Sequence, residues 1–556
     1  MSRPDRIISQ DNGFSLHSYS YPGVTFMTAK TLMVMGTSSS AGKSLITAAI
    51  CRCFARRGIR VAPFKAQNMS NNSAVCTDGS EIGRSQAFQA LAASVPAHSD
   101  MNPILLKPEG DTYSQIILNG RPMKSTDDGS RVCNSLQAHE YFERKKEFWP
   151  HVTGALDRLR EQYQLVVIEG AGSPTELNLS SIEIVNMAVA RYACSPVILV
   201  GDIERGGVFA QLLGTLWLLP PEDRALIKGL VVNKFRGDLR LFDRGVEILE
   251  QRGDVPVLGV LPWIDHLALP EEDAVALTNA SADAASASAS TTYSLDITVI
   301  HLPHISNFDD FDPIARENSV RLRYVKTLQQ LGRPDVIILP GTKNTLGDLN
   351  WLRMTGLAEG ILAMRAHGTV VVGICGGYQM LGRRLSNPYG IESDWHSASG
   401  LGLLDVETIF QNEKQTRQIE AEITDDIIAP GTLGEFIHGY EIHVGQTSSS
   451  SSWLQLADAA MGTDSINMGR SRFDGARSED GRVWGCYLHG LFHNDRFRSA
   501  WLRSLGVATS TSRSANAHES IMQSLDRLAD AFETHIDMTQ LEKIIWNQER
   551  VETYVG

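Results

Sequence analysis

The chain has 556 residues, a formal net charge of −13, 42% hydrophobic residues and 21% charged residues. This composition supports packed cores in roughly two to four domains and argues against global disorder. Because an acidic surface repels phosphate backbones, nucleic acid is not an expected partner.

The cysteines and the N-terminus indicate a cytoplasmic protein. The seven cysteines are odd in number and form no CxxC pair, so a disulfide framework is not expected. Residues 1–29 carry charges and lack an apolar core, which predicts an N-terminal extension and not a secretory signal. No uncharged apolar run reaches the about 18 residues of a membrane span, so no membrane partner is expected.

Short apolar runs alternate with longer helical patterns through the first half of the chain. They are rich in Val, Ile and Leu and alternate little, as in strands buried on both faces of a parallel sheet. This pattern predicts a doubly wound α/β domain over residues 30–276. The predicted strands are Thr31–Met35, Arg60–Phe64, Leu165–Ile168, Pro196–Val200, Gly229–Val232 and Val255–Leu261.

A glycine-rich loop follows the first predicted strand and precedes a helical pattern. Gly36 opens the loop and Gly42-Lys43-Ser44 closes it. In this context backbone N–H groups bind phosphates, Lys43 neutralises the β- and γ-phosphates, and the Ser44 hydroxyl coordinates Mg²⁺. The glycines are five residues apart instead of the usual four, and an ordinary Ser/Gly turn is the alternative. The loop predicts ATP and Mg²⁺ as cofactors.

Polar residues follow three later strands of the first half. Glu169 ends one strand and is predicted to hold Mg²⁺ directly or through water; the alternative is an acid that faces solvent. Asp202 ends the next strand, at the edge of the sheet where α/β sites form. Asn233 follows a third strand and is a weaker candidate for a contact with the nucleotide base.

A second α/β pattern follows a segment of unusual composition. Residues 277–294 are mostly Ala, Ser and Thr, which predicts a linker. Residues 295–556 are predicted to form a second doubly wound domain, with strands at Ile297–Leu302, Val336–Leu339 and Val370–Ile374 and a strand-rich region at Gly400–Ile442. Near the end, Leu525, Leu528 and Phe532 share one face of a predicted amphipathic helix that docks on a core.

Cys375 is the candidate nucleophile. It lies between the strand Val370–Ile374 and the pair Gly376-Gly377, so a sharp strand-to-helix turn exposes its side chain. A helix N-terminus and nearby N–H groups favour the thiolate. The alternative is a buried structural cysteine. A thiol nucleophile needs a base, for which the candidate is His489 at the end of a strand, with His438 and His443 as rivals that composition does not separate.

Longer sequence strings carry a family resemblance. Gly373–Gln379 resembles the triad-type glutamine amidotransferases, and the phosphate loop with Glu169–Gly172 resembles dethiobiotin synthetase and its relatives. Together they resemble the cobyrinic and cobyric acid amidotransferases of cobalamin biosynthesis. The strings that favour the cobyric acid synthase branch are Pro63–Asn72, Glu81–Arg84, Asp100–Pro103, Asp202–Gly207, Ile305–Pro313 and Leu339–Thr345.

The resemblance implies a P-loop synthetase domain followed by a class I-like glutamine amidotransferase domain. It implies amidation of carboxylates b, d, e and g of adenosylcobyrinic acid a,c-diamide, so glutamine and this corrinoid are the expected partners. It assigns the nucleophile to Cys375, its partner to His489 and an oxyanion-hole N–H to Gly341, beside that of Gly376. Because ordinary triad enzymes carry Glu where this chain has Leu491, the group that orients His489 stays open. Ammonia must cross between the sites, so an enclosed passage is expected.

Three alternatives remain. A cobyrinic acid a,c-diamide synthase would use the same chemistry at carboxylates a and c. A nucleotide-switched binding protein of the ParA/MinD kind would share the phosphate loop but would not need Cys375 and His489. A lone dethiobiotin-type synthetase with an unrelated tail is the third. The oligomeric state and the residues that contact the corrinoid are not predicted.

Overall fold

The structure is a computed structural model. It describes residues 28–110, 112–123, 135–178, 183–265, 267, 293–393, 395–458, 472–507 and 517–547. The predicted N-terminal extension up to residue 27 and residues 277–292 of the predicted linker lie outside the described residues.

The first sheet has six parallel strands and confirms the predicted parallel α/β fold of the first half. Its strand order places the phosphate-loop strand Lys30–Gly36 in the middle, between Leu165–Glu169 and Val197–Asp202. The apolar runs form strands because both faces of the sheet are covered. In spatial order the strands are Val257–Pro262, Ile227–Phe235, Val197–Asp202, Lys30–Gly36, Leu165–Glu169 and Val61–Phe64.

Helices cover both faces of this sheet. Met33 and Met35 point into one apolar cluster, and Leu32 and Val34 point into the opposite one. Successive side chains of a strand alternate between the two faces of the sheet, so a central strand that is apolar on both faces must be covered on both. The helices of this part of the chain are Lys43–Arg56, Arg84–Ala92, Ala138–Gln162, Met187–Ala193, Val208–Leu218, Pro221–Arg224 and Asp243–Gly253, with 3-10 turns at Ser99–Met101 and Leu239–Phe242.

A small, mostly antiparallel region is inserted between the second strand of the first sheet and the helix Ala138–Gln162, and its one parallel pair joins Gln67–Met69 to Ile104–Pro108. It projects polar side chains toward the second half of the chain. Its strands are Gln67–Met69, Ile104–Pro108, Tyr113–Leu118, Arg121–Pro122 and Ser135–Gln137 in one sheet, and Ser73–Val75 paired with Glu81–Gly83 in a hairpin.

The second sheet carries the cysteine elbow. Five of its strands are parallel and the sixth is antiparallel, which confirms the second α/β domain. In spatial order the strands are Val320–Val325, Leu295–Ile300, Val336–Leu339, Val370–Ile374, Val483–Cys486 and Ala476–Arg477. The associated helices are Asp312–Ala315, Leu328–Leu331, Thr345–Met354, Leu357–Ala366, Gly376–Leu381 and Asp495–Ser504, with 3-10 turns at Phe308–Phe311 and Leu491–His493.

A third sheet follows the elbow helix and confirms that this region is rich in strands. It is built on the long antiparallel pair Val406–Ile423 and Phe436–Ser449, which reaches across to the inserted region of the first half. The remaining strands are Arg384–Ser386, Ser397–Ser399, Leu454–Asp458 and Arg472–Asp474.

The last two helices, Ala517–His535 and Met538–Trp546, pack on the first half of the chain, although their sequence follows the second. Leu525, Leu528 and Phe532 share an apolar cluster with the helix Lys43–Arg56, and Arg52 pairs with Asp526 at 2.8 Å. The predicted amphipathic helix is therefore present, and its apolar face covers the phosphate-loop helix. In the described residues no helix is both long and apolar enough to cross a membrane.

Candidate active sites

The backbone at Cys375 forms a strained elbow. Cys375 has φ 51° and ψ −110°, between the strand Val370–Ile374 and the helix Gly376–Leu381. A β-carbon on Gly377 would lie 1.9 Å from the Leu339 carbonyl oxygen, so only glycine allows the helix to start this close to the neighbouring strand. Such strain persists where the surrounding structure enforces it, typically at a reactive residue.

Cys375 lies in the wall of a pocket that contains His489. The elbow was predicted to expose the cysteine, but Cys375 is buried in the pocket wall at 7% exposed, with its sulfur 3.5 Å from the Ile442 carbonyl oxygen. The pocket also takes residues from the inserted region of the first half of the chain, so it sits where the two halves meet. Its lining residues are Lys107, Ser306, Asn307, Thr342, Lys343, Thr345, Cys375, Gly376, Gln379, Glu392, Lys414, Ile442, His443, Val444 and His489.

A carboxylate orients His489. Asp310 Oδ2 accepts from His489 Nδ1 at 2.7 Å, and Asp310 Oδ1 accepts from the Gly490 N–H at 2.8 Å. Tyr440 stacks on the imidazole, with ring centroids 5.3 Å apart. Burial opposes protonation, but Asp310 and Cys375 outweigh it and raise the pKa of His489 from 6.5 to about 10. Asp310 therefore fixes Nδ1 of the ring, which leaves the other ring nitrogen for the Cys375 sulfur in the same pocket.

Asp310 is the carboxylate that orients His489, in place of the Glu that triad enzymes carry at the position of Leu491. It lies on the turn Phe308–Phe311, 179 residues before the histidine that it orients. In the sequence, Asp310 stood out only as part of the string Ile305–Pro313. The signal that could have pointed to it is the pair Asp309-Asp310 in the loop that follows the parallel strand Leu295–Ile300, since polar site residues gather beyond the carboxyl ends of such strands.

The rival histidines occupy different places. His438 is exposed and does not line the pocket. His443 lines the pocket, but its Nδ1 bonds the Gly445 carbonyl at 2.7 Å and its Nε2 lies 3.6 Å from Glu441. The structure thus places His489 beside Cys375 with a carboxylate on its far nitrogen, while His443 points its ring toward other partners.

Gly376 lines the pocket, and Gly341 lies against His489. A β-carbon on Gly341 would lie 3.1 Å from His489 Cε1, and one on Gly376 would lie 2.6 Å from Thr342 Cγ2. Neither position has room for a side chain, so the backbone at both glycines approaches the site closely.

The pocket carries charges that suit a zwitterionic amino acid. Lys107, Lys343 and Lys414 supply cationic groups, while Glu392 supplies the opposite charge. The Glu392 carboxylate accepts from the Thr345 N–H at 2.9 Å, and burial raises its pKa to about 7 although Lys343 opposes this. A carboxylate and an ammonium group of one ligand would each find a partner of opposite charge here.

The phosphate loop has the predicted strand–loop–helix form. Gly42 precedes the helix Lys43–Arg56 with φ 100°, a left-handed conformation that favours glycine. Lys43 Nζ donates to the carbonyls of Ser38 at 2.9 Å and Gly172 at 3.1 Å, so the amine lies across the loop. Asn233 Nδ2 donates to the Ala41 carbonyl at 2.9 Å, which places Asn233 against the loop.

Glu169 is buried beside the loop and does not face solvent. It is 1% exposed, and Ser44 Oγ and Lys65 Nζ each lie 2.8 Å from its Oε1. Gln89 Nε2 donates to its Oε2. Asp202, in contrast, is paired with Lys234 at 2.8 Å. In the sequence, Lys65 stood out only as part of the string Pro63–Asn72, and nothing pointed to Gln89.

The residues at the loop fit Mg²⁺ bound together with phosphates. Ser44 and Glu169 offer two adjacent oxygen ligands, and Mg²⁺ prefers few protein carboxylates plus phosphates and water. In the described part of the chain no group of three or more His, Cys, Asp or Glu forms a site for a metal alone. The ion would therefore depend on the nucleotide for the rest of its ligands.

Both halves of the chain match known domain families. Residues 32–275 match the CobQ/CobB/MinD/ParA nucleotide binding domain. Residues 296–497 match the CobB/CobQ-like glutamine amidotransferase domain. Two α/β domains with these matches define an ATP-dependent ligase that uses glutamine.

Curated relatives specify the family. The chain is 52% identical to a cobyric acid synthase of Roseiflexus castenholzii, over 86% of this chain and 92% of the relative. It is 50% identical to one of Chloroflexus aurantiacus over 93% and 100%, and 48% identical to one of Herpetosiphon aurantiacus over 94% and 100%. The chain belongs to the cobyric acid synthase family.

Proposed function

We propose that this enzyme amidates carboxylates b, d, e and g of adenosylcobyrinic acid a,c-diamide, with one glutamine and one ATP for each amide. The observation that carries the proposal is the pocket of Cys375, His489 and Asp310 at the junction with a phosphate-loop domain. Such a pair of sites suits the release of ammonia in one half and its use on an activated carboxylate in the other.

In the glutaminase half, the Cys375 sulfur attacks the glutamine carboxamide. The raised pKa of His489 keeps the proton of the Cys375 thiol on the imidazole, so a thiolate attacks, and His489 then passes this proton to the departing ammonia while Asp310 holds the ring. Water then hydrolyses the thioester, which releases glutamate and restores Cys375. The N–H groups of Gly341 and Gly376 stabilise the tetrahedral oxyanion. Glu392 and the pocket lysines hold the ammonium and carboxylate groups of glutamine, so glutamine is oriented with its amide toward Cys375.

In the synthetase half, a carboxylate oxygen attacks the γ-phosphorus of ATP, and ammonia then displaces phosphate from the acyl phosphate. Lys43 stabilises negative charge on the transferring group, and the loop N–H groups hold the phosphates. Ser44 and Glu169 would hold Mg²⁺, which supplies further charge neutralisation when it is bound with ATP. Asn233 supports the loop beside the nucleotide.

Mass spectrometry of the corrinoid tests this function. The protein is incubated with adenosylcobyrinic acid a,c-diamide, ATP, Mg²⁺ and glutamine. Four successive losses of about one mass unit each are expected, because NH₂ replaces OH at every step. Conversion of cobyrinic acid at two carboxylates, with no change in its a,c-diamide, would instead identify an a,c-diamide synthase.

Asp310→Asn is expected to lower glutamine hydrolysis by about 10²–10⁴-fold, because the amide favours the wrong tautomer of His489. Loss of the carboxylate also lowers the pKa of His489 from about 10. The alkaline limb of the glutaminase pH profile should therefore move to lower pH. Asp405→Asn, at an exposed carboxylate paired with Arg383, is the matched control and should change neither quantity. An unchanged pH profile in Asp310→Asn would show that Asp310 does not orient His489 or raise its pKa.

The pKa of His489 also predicts a pH-dependent stability. A pKa raised from 6.5 to about 10 means that the folded protein binds this proton more tightly than the unfolded chain. The stabilisation is complete below pH 6.5 and is lost as the pH rises through about 10. The difference in melting temperature between wild type and Asp310→Asn should therefore be larger at pH 6 than at pH 10. A difference that is constant over this range would contradict the prediction.

A further inference from the structure

Arg84 joins the inserted region of the first half of the chain to the turn that carries Asp310. It is the first residue of the helix Arg84–Ala92, directly after the hairpin. Its Nη2 lies 2.8 Å from Asp309 Oδ2, and Asp309 precedes Asp310 in the chain. Arg84 therefore reaches across the boundary between the two halves to the residue beside the carboxylate that orients His489.

Asp309 is a buried carboxylate next to a second one. Both Asp309 and Asp310 are 2% exposed. In the part of the chain that the structure describes, Arg84 is the one basic side chain that pairs with Asp309. Burial raises the pKa of Asp309, Arg84 opposes this rise, and Asp310 adds to it. Arg84 thus compensates the charge of Asp309 beside Asp310, because a buried charge without a partner is strongly destabilising.

A second contact from the inserted region reaches the start of the same turn. The Ser73 N–H donates to Asn307 Oδ1 at 3.4 Å. Asn307 Nδ2 in turn donates to the Tyr440 hydroxyl at 3.1 Å, and the Tyr440 ring stacks on His489. The first half of the chain therefore contacts the turn at Asn307 as well as at Asp309, and each contact lies one residue away from a group that touches the imidazole.

The backbone that presents Arg84 is itself held in place. The Arg84 N–H donates to the Asn72 carbonyl at 3.2 Å, and the Gly83 N–H donates to Asn102 Oδ1 at 3.0 Å. A β-carbon on Gly83 would lie 2.5 Å from Asn68 Nδ2, so a side chain at this position would push the start of the helix away. The guanidinium of Arg84 is therefore presented from a strand end that its neighbours fix by hydrogen bonds and close packing.

We propose that Arg84 is a positioning residue of the glutaminase site that is supplied by the first half of the chain. Through Asp309 it fixes the turn, so that Asp310 keeps His489 directed at Cys375. Arg84 does not line the described pocket of Cys375, so it acts through Asp309 and not on glutamine. The proposal rests on the proposed function, since it concerns the rate at which this pocket releases ammonia.

Arg84→Met tests the contact with Asp309, because methionine keeps an unbranched side chain and a high helix propensity but removes the charge. We expect kcat for glutamine hydrolysis to fall at least about tenfold, since a small displacement of a catalytic group is sufficient for such a loss. The KM for glutamine and the rate of ammonium-driven amidation should each stay within about twofold of wild type. Because the ion pair is made through one nitrogen, Arg84→Lys should recover at least about a third of the wild-type kcat.

Asp309→Asn is the second variant and tests the same contact from its other side. It is expected to lower kcat for glutamine hydrolysis as well, because it removes the carboxylate that Arg84 holds. If Arg84 acts through Asp309, adding Arg84→Met to Asp309→Asn changes kcat by less than about twofold. Two losses that multiply in the double variant would overturn the proposal, because Arg84 would then act by a route that does not include Asp309.

Arg191→Met is the matched control, because Arg191 pairs with the buried Asp223 within the first half of the chain. It should keep the wild-type kcat and KM for glutamine hydrolysis. A wild-type kcat in both Arg84→Met and Asp309→Asn overturns the proposal. Equal loss of glutamine hydrolysis and ammonium-driven amidation in a folded Arg84→Met protein also overturns it, because the effect would then not be confined to the glutaminase site. A wild-type protein that hydrolyses no glutamine would instead reject the proposed function.

Discussion

Cys375→Ser is expected to reduce glutamine-dependent amidation by at least about a thousandfold while ammonium-driven amidation stays within about twofold. Serine is a far weaker nucleophile than a thiolate, and the pocket of His489 and Asp310 is arranged around sulfur. The synthetase half does not contain Cys375, so its use of free ammonium does not depend on the thiol. The measurement is the rate of corrinoid amidation with each nitrogen source at saturating ATP.

Cys194→Ser is the matched control, because Cys194 is an exposed cysteine of the first half of the chain. It should retain both activities. Equal loss of glutamine-driven and ammonium-driven amidation in a folded Cys375→Ser protein would contradict the assignment of glutamine hydrolysis to the second half of the chain and of amidation to the first.

Lys43→Ala is expected to lower amidation by at least about a hundredfold with either nitrogen source. The Lys43 amine lies across the phosphate loop, against the carbonyls of Ser38 and Gly172, where it can neutralise charge on the transferring phosphoryl group. Because the reaction with ammonium needs the same activated carboxylate, free ammonium should not rescue this variant. Phosphate release and corrinoid amidation are measured in parallel.

Lys228→Ala is the control, since Lys228 is exposed in the same half of the chain. It should leave both rates unchanged. Ammonium-driven amidation that survives in Lys43→Ala, or that proceeds without ATP, would contradict phosphoryl transfer at this loop.

The predicted strands and both turns could be recognised from local sequence. The runs at Val336–Leu339 and Val370–Ile374 match the observed strands in full, and the run predicted at Ile297–Leu302 is observed at Leu295–Ile300. Glycine placement identified the elbow at Cys375 and the loop before Lys43, because a turn geometry is encoded by the few residues that form it.

Local sequence did not predict that Asp310 is the hydrogen-bond partner of His489. Asp310 is remote in sequence, and neither His438 nor His443 could be set aside until the fold placed their rings. The same holds for Glu169, whose burial depends on Lys65 and Gln89 packing over it.

The sequence was sufficient for the α/β class, for the two reactive loops and for the family, since each of these is carried by contiguous residues and their periodicity. Which residues come together in each site is decided by tertiary packing. The folded chain brings Asp310 to His489, Lys107 to the pocket of Cys375 and the last two helices onto the phosphate-loop helix. Such contacts join residues that are far apart along the chain, and they form because whole elements bury apolar faces against one another, which no local pattern encodes.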